Sequence, residues 1–256
     1  MRDATESGLE KESASPSAAG AADGVLSTAM KTALLLIGLA LPPALSAQAA
    51  VANTDSQVVA PDSVARRLLA DVRAADSTII VQLRYATADN FTGAPLPGYE
   101  ANRALLRAEA AAALGRVQRR LAAEGLGLKV WDGYRPVRAT QAMVAWTERT
   151  HQTWLLDSGY IARRSRHNQG VAVDLTLVDL RTGAEVDMGT PFDTFSAAAH
   201  TANASGAVKQ ARERLVGAMA AEGFVNYSME WWHFSFVVEG PVPFDLPIRA
   251  AGPTPD

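Results

Sequence analysis

Ser165-Arg166-His167-Asn168-Gln169-Gly170-Val171-Ala172-Val173-Asp174 is the stretch on whose reading the fold turns. Its polar first half gives way to an apolar run, 171–178 (VAVDLTLV), which reads as a strand. Gly170 lets the backbone turn in tightly where that strand begins. Alternation puts Val171, Val173, Leu175 and Leu177 on one face, and Ala172, Asp174 and Thr176 on the other. Asp174 therefore lies mid-strand in an apolar segment. An ionised carboxylate is costly there unless it is paired or coordinated. A structural Asp bonded to backbone amides is the alternative reading for this residue.

Outward from this strand, the chain alternates helical and extended patterns. Downstream, 207–221 reads as a helix closed by Gly223, and 233–238 as a last strand. Upstream, Pro61-Asp62-Ser63 opens a helix that should end near Arg73. The β-rich run 78–85 (TIIVQLRY) reads as a strand. Residues 89–98, with Gly93, Pro95, Pro97 and Gly98, read as loop. Leu spacing near 3.6 predicts a helix over 103–123, with its Arg-rich face in solvent. Residues 126–131 read as a strand ending at Asp132-Gly133, and 139–150 as a helix. Helices and strands mix without regular βαβ alternation. The expected class is α+β, with a mainly antiparallel sheet flanked by helices.

Composition narrows the chemistry. The chain has 256 residues, 48% hydrophobic and 20% charged, which suits one globular domain. There are no cysteines, so a transition-metal site must use His, Asp or Glu. Only four histidines are present: His151, His167, His200 and His233. A formal net charge of -3 gives no reason to expect a nucleic-acid or membrane-surface partner. Residues 1–29 read as a disordered or mis-assigned extension. Met30-Lys31, an apolar run over 33–41 and Ala47-Gln48-Ala49 read as a signal peptide over 30–49. That run is short for a bilayer span, and a buried N-terminal helix is the alternative. The mature protein is expected to start near Ala50 and to be exported, periplasmic or extracellular, with no stable membrane insertion after cleavage. Residues 50–60 read as a flexible leader and 61–256 as the domain.

A second segment, Met229-Glu230-Trp231-Trp232-His233-Phe234, carries a His at the start of a strand and a Glu three residues earlier. That spacing shares a face on a helix but not on a regular strand. The two Trp and the switch into a strand suggest a turn or bulge that redirects Glu230. A half-buried His beside an exposed Glu is the alternative. The two segments together supply two His, one Asp and one further Glu. Catalytic zinc takes three protein ligands and keeps a fourth position for water, whose pKa it lowers. A carboxylate outside the ligand set must then accept the proton, and Glu230 fits that role. A third segment, Trp131-Asp132-Gly133-Tyr134-Arg135-Pro136, sits on a turn at a strand end. Arg135 there is either an oxyanion stabiliser or a solvated turn residue.

DGYRP, SxHxxGxAxD and ExWH, in that chain order, resemble the D-alanyl-D-alanine dipeptidases of the M15 peptidases. Relatives of that family include zinc D,D-carboxypeptidases and the hedgehog signalling domain. The resemblance runs from about Leu83 (LRYATADNFTG) to Phe236, and Met188-Gly189-x-x-Phe192-Asp193 points to the dipeptidase branch. It implies a hedgehog/D,D-peptidase-like zinc fold with one Zn2+ per chain. It implies His167, Asp174 and His233 as ligands, Glu230 as base and Arg135 as transition-state stabiliser. It further implies that Tyr85 and Asp193 hold the ammonium of a small dipeptide and that Ser165 lies near its carboxylate. Read without it, Asp193 is a loop carboxylate capping backbone and Tyr85 a strand-end aromatic packed on the core. The implied activity is hydrolysis of D-Ala-D-Ala by metal-activated water. The alternatives are a zinc D,D- or L,D-carboxypeptidase acting on cell-wall peptides, or a non-catalytic zinc-stabilised binding module. Glu230 and Arg135 argue against the module, since a structural zinc needs neither. His151 and His200 are left as surface or satisfied histidines, and the oligomeric state stays open.

Overall fold

The computed structural model describes residues 57–251. The expected extension 1–29 and signal peptide 30–49 lie outside the described residues, as does most of the 50–60 leader. In chain order the elements are α1 (Asp62–Leu68), β1 (Leu69–Asp71), α2 (Val72–Ala75), β2 (Ile80–Val81), β3 (Leu105–Arg107) and α3 (Ala108–Ala122). There follow β4 (Leu126–Asp132), α4 (Val137–Arg149), α5 (Trp154–Asp157), β5 (Ala172–Asp179), α6 (Gly206–Ala220), β6 (Phe224–Asn226) and β7 (His233–Phe236). Short 3-10 turns lie at Arg84–Ala86, Arg166–Gln169 and Ala197–Ala199.

β5, the strand expected over 171–178, is the middle of a five-stranded sheet ordered β2-β4-β5-β7-β6. Only β2 and β4 pair in parallel; the other neighbours are antiparallel. Helices α3 and α6 pack on the sheet and on each other. Val173, Leu175 and Leu177 join Leu114, Val117, Leu121, Leu215 and Met219 in the buried core. By alternation the face bearing Asp174 is then left to the site. This is the α+β architecture expected, with helices flanking a mainly antiparallel sheet.

Three expected elements are redrawn. The helix expected over 61–73 is broken by β1, and the one expected over 103–123 begins only at Ala108. The cause is one two-stranded pairing, Leu69 with Arg107 through Asp71 with Leu105. Leu105, Leu106 and Arg107 are all buried, so this stretch is covered as a strand where a helix would have exposed one side. Asp71 then caps α2 at the Arg73 amide, 2.9 Å, and accepts from Arg103 Nε at 2.7 Å. The strand expected over 78–85 shrinks to two residues. Asn102 takes the place of a neighbouring strand: its side chain accepts from the Leu83 amide at 2.8 Å and donates to the Val81 carbonyl at 2.9 Å. The chain is thus turned at Leu83 into a 3-10 turn that carries Tyr85 inward. α5 and the edge strand β6 had no expected counterpart.

Candidate metal centre

Strand register builds the first part of the site. Asp132 on β4 pairs with Asp174 on β5, and Asp174 pairs with His233 on β7. A register shift between Val130 and Asp132 brings Asp132 into this row. His167 comes from the 3-10 turn just before β5. That turn is capped by Ser165, whose Oγ accepts from the His167 amide at 3.2 Å. It ends at Gly170, at φ 68°, where a Cβ would lie 2.5 Å from the Leu69 side chain.

His167 Nδ1 lies 2.7 Å from the Gly133 carbonyl. A carbonyl only accepts, so Nδ1 carries the hydrogen and Nε2 keeps its lone pair. That lone pair faces His233 Nδ1 at 3.1 Å and Asp174 Oδ2 at 3.4 Å. His233 Nδ1 is also 2.9 Å from Asp174 Oδ1. One ligand atom from each residue lies within 4.8 Å of the others. A proton shared by His233 and Asp174 would leave the His167 lone pair pointing at acceptors. A cation held by all three satisfies every one of them. The N,N,O donor set without thiolate suits zinc, with a position to spare. Burial works against the Asp174 charge, but a proton on the facing imidazole nitrogens, or a cation in its place, outweighs it and holds its carboxyl well below the usual range. Burial keeps His233 on the neutral side, as a ligand requires.

Arg135 leaves the turn after β4 with its fork on Asp132: Nε and Nη2 donate to Oδ2 at 3.0 and 2.8 Å. Its Nη2 is 3.8 Å from Asp174 Oδ2, and its guanidinium lies 5.0 Å from the Tyr85 ring centre. Asp132 is wholly buried and also accepts from Tyr99 Oη at 2.6 Å and the Gly133 amide at 2.9 Å. Asn168 ties the two turns together, donating to the Arg135 carbonyl and to Thr140 Oγ1, both at 2.9 Å.

The segment before β7 is a turn: the His233 amide donates to the Glu230 carbonyl at 3.2 Å. It swings Glu230 to the His233 side, with Oε2 at 4.0 Å from His233 Nδ1. Buried Trp231 and Trp232 anchor the turn. The Glu230 carboxyl is pushed well above its ordinary range, first by burial, then by the charges of Asp174 and Asp193. A dication at the triad would pull it back down.

Across the same cavity Tyr85 Oη donates to Asp193, 2.9 Å from Oδ1 and 3.2 Å from Oδ2. Asp193 adopts φ 60°, a left-handed conformation uncommon for a non-glycine residue. Burial and the nearby Asp174 charge push its carboxyl up to about 8, against the Tyr85 bond and Arg135. All eight residues singled out from the sequence line one cavity of about 570 Å3: Tyr85, Arg135, Ser165, His167, Asp174, Asp193, Glu230 and His233. Ser165 lines the wall while its hydroxyl serves the His167 turn. His151 is exposed, and His200 sits 3.1 Å from Tyr160 Oη; neither joins the triad. Asp132, Asn168 and Tyr99 had no expected role. Asp132 and Asn168 stand inside the DGYRP and SxHxxG motifs, where their polar side chains beside the named residues were the available signal.

The residues 66–247 match the family described as D-ala-D-ala dipeptidase, Peptidase M15. The chain is 39% identical over 184 residues to a D-alanyl-D-alanine dipeptidase of Enterococcus faecium, covering 65% of this chain and 91% of that one. It is 40% identical over 183 residues to one of Streptomyces coelicolor, covering 64% and 90%. A relative of the same name from Escherichia coli is 37% identical over 156 residues, covering 60% and 77%. Among solved structures it is similar to a vancomycin-resistance D,D-pentapeptidase, VanY, in complex with Zn(II). That similarity has a TM-score of 0.34 and 17% identity, over 55% of this chain and 77% of that one. With the family matched over most of its length, the chain belongs to the D-Ala-D-Ala dipeptidase family of M15 peptidases and is a zinc metallopeptidase.

Proposed function

We propose that this enzyme hydrolyses the free dipeptide D-Ala-D-Ala, with Glu230 as general base and acid and Arg135 stabilising the oxyanion. The observation that carries this reading is the sharing of one cavity by the metal triad, Glu230 and the Tyr85–Asp193 pair. His167, Asp174 and His233 would hold the zinc, which when bound polarises the scissile carbonyl and makes water a nucleophile near neutral pH.

Glu230 takes the proton of the attacking water and returns it to the departing amine. Its burial and its position outside the triad suit a group that must carry a proton for part of the cycle. Arg135, locked by Asp132, presents fixed positive charge where negative charge grows on the carbonyl oxygen. Asp193 and Tyr85 take the substrate ammonium. Burial pushes the Asp193 carboxyl up, and an incoming ammonium favours its ionised form. An acylated amine offers no such charge and leaves the buried Asp193 unpaired, which excludes longer peptides. Ser165 lies at the wall where the substrate carboxylate would rest. Turnover of D-Ala-D-Ala against its N-acetyl derivative tests the reading. Free dipeptide should be strongly preferred; equal turnover would favour the carboxypeptidase alternative. From the 30–49 segment we also infer export.

A further inference from the structure

Arg212, on α6, is 2% exposed, yet no carboxylate bonds its guanidinium among the described residues. Instead it donates only to backbone carbonyls. Nε and Nη2 bond Met188 O at 2.9 and 2.7 Å, Nη2 also bonds Ala198 O at 3.1 Å, and Nη1 bonds His200 O at 2.8 Å. Met188 and His200 bracket the loop whose middle is Asp193. A second tie holds the same loop: Trp231 donates through Nε1 to Thr190 Oγ1 at 2.8 Å and through its amide to Ala199 O at 3.1 Å. The Arg212 guanidinium rests 5.9 Å from the Trp231 ring centre, so the two ties form one unit.

A left-handed aspartate persists only where its surroundings over-determine it. Asp193 has φ 60° and meets Tyr85 from a loop of little regular structure of its own. A buried cation is costly unless fully bonded, and a planar fork is the side chain that can hold several carbonyls in fixed relation. The Arg212 guanidinium bonds the carbonyls of Met188, Ala198 and His200 rather than Asp193 itself, so Arg212 acts through the loop's shape. We propose that Arg212 is a positioning residue for the substrate-amine anchor. By clamping both ends of the 188–200 loop it aims Asp193 at Tyr85, and so sets the enzyme's preference for an unblocked amine. This rests on the reading of Asp193 as that anchor.

Gly189 offers a way to disturb the clamp from the loop side. It has φ +83°, and a Cβ there would lie 2.8 Å from Val208 Cγ1 and 3.4 Å from Arg212 Nη2. The experiment compares zinc-loaded wild type with Arg212→Met, Arg212→Lys, Gly189→Ala and Asp193→Asn. It reads KM and kcat for D-Ala-D-Ala, zinc content, and inhibition by N-propionyl-D-alanine, which lacks only the amine. Arg212→Met and Gly189→Ala should raise KM about tenfold or more, the loss of one charge-assisted contact. Their kcat, zinc content and affinity for the des-amino inhibitor should stay near wild type, and Arg212→Lys should fall between. If Arg212→Met does not fold, Arg212→Lys and Gly189→Ala decide. Wild-type KM in those variants, with KM raised in Asp193→Asn, overturns the role of Arg212 alone. Loss of zinc, or equal weakening of substrate and des-amino inhibitor, also overturns it, because the clamp would then be merely structural. An unchanged KM in Asp193→Asn would sink the anchor reading itself.

Discussion

Glu230, Arg135 and Asp193 are three buried or half-buried charges with three different tasks, and substitution separates them. Glu230→Gln keeps size and hydrogen bonding but cannot take a proton. Turnover should fall by at least about 10²–10⁴ while zinc stays bound, as metal analysis of the same sample will read. Lost metal would make Glu230 a ligand. Asp132→Asn leaves the Arg135 fork without its carboxylate, and kcat should fall by up to about 10²–10³ with zinc retained. Asp193 carries a pH signature. In the folded, metal-free protein its carboxyl titrates near 8, against about 4 in an unfolded chain. The folded state therefore binds this proton more tightly, and its contribution to stability is lost as pH rises from about 4 through 8. Asp193→Asn removes that titration, so the fall in Tm across this window should be smaller in the variant. At this scale the sequence was informative because the chemistry constrains residue type: without cysteine, few side chains can hold zinc. Asp132 was missed because its work is done at one remove, through Arg135 and Tyr99.

At the scale of elements, the site is set by register and by two turns. Asp174 is legible as an out-of-place charge in VAVDLTLV, but its neighbours in the row, Asp132 and His233, follow from strand pairing that no local pattern states. The same limit explains the misplaced boundaries near Leu69 and Leu105. Both stretches have helical spacing, and their long-range pairing, with Leu105–Arg107 buried and Leu69–Asp71 half-buried, overrides it. Tyr85 reaches the cavity from a 3-10 turn that follows a stretch whose outer edge is bonded by Asn102, far along the chain. The Arg166–Gln169 turn gives a direct test. Gly170→Ala puts a methyl in a left-handed position against Leu69, costing at least about 1–2 kcal/mol from the backbone alone. Thermal unfolding should show the loss, and zinc affinity should weaken with it because His167 rides on this turn. Unchanged zinc affinity would mean that the turn does not position the ligand.

At the scale of the whole molecule, one cavity gathers residues from almost the full length of the described domain, Tyr85 to Val237. None of the described helices is long and apolar enough to cross a membrane. Export is read from 30–49 alone, so N-terminal sequencing of secreted protein should start near Ala50; an intact N-terminus on cytoplasmic enzyme would count against it. The most direct measurement is of metal and turnover together. Wild type and His233→Ala are purified alike, and each is assayed for zinc per chain and for hydrolysis of D-Ala-D-Ala. One zinc per chain and turnover are expected in wild type, and both should vanish in His233→Ala, since two ligands hold the ion poorly. Stoichiometric zinc in His233→Ala, or undiminished hydrolysis after its metal is gone, would contradict a centre built on His167, Asp174 and His233.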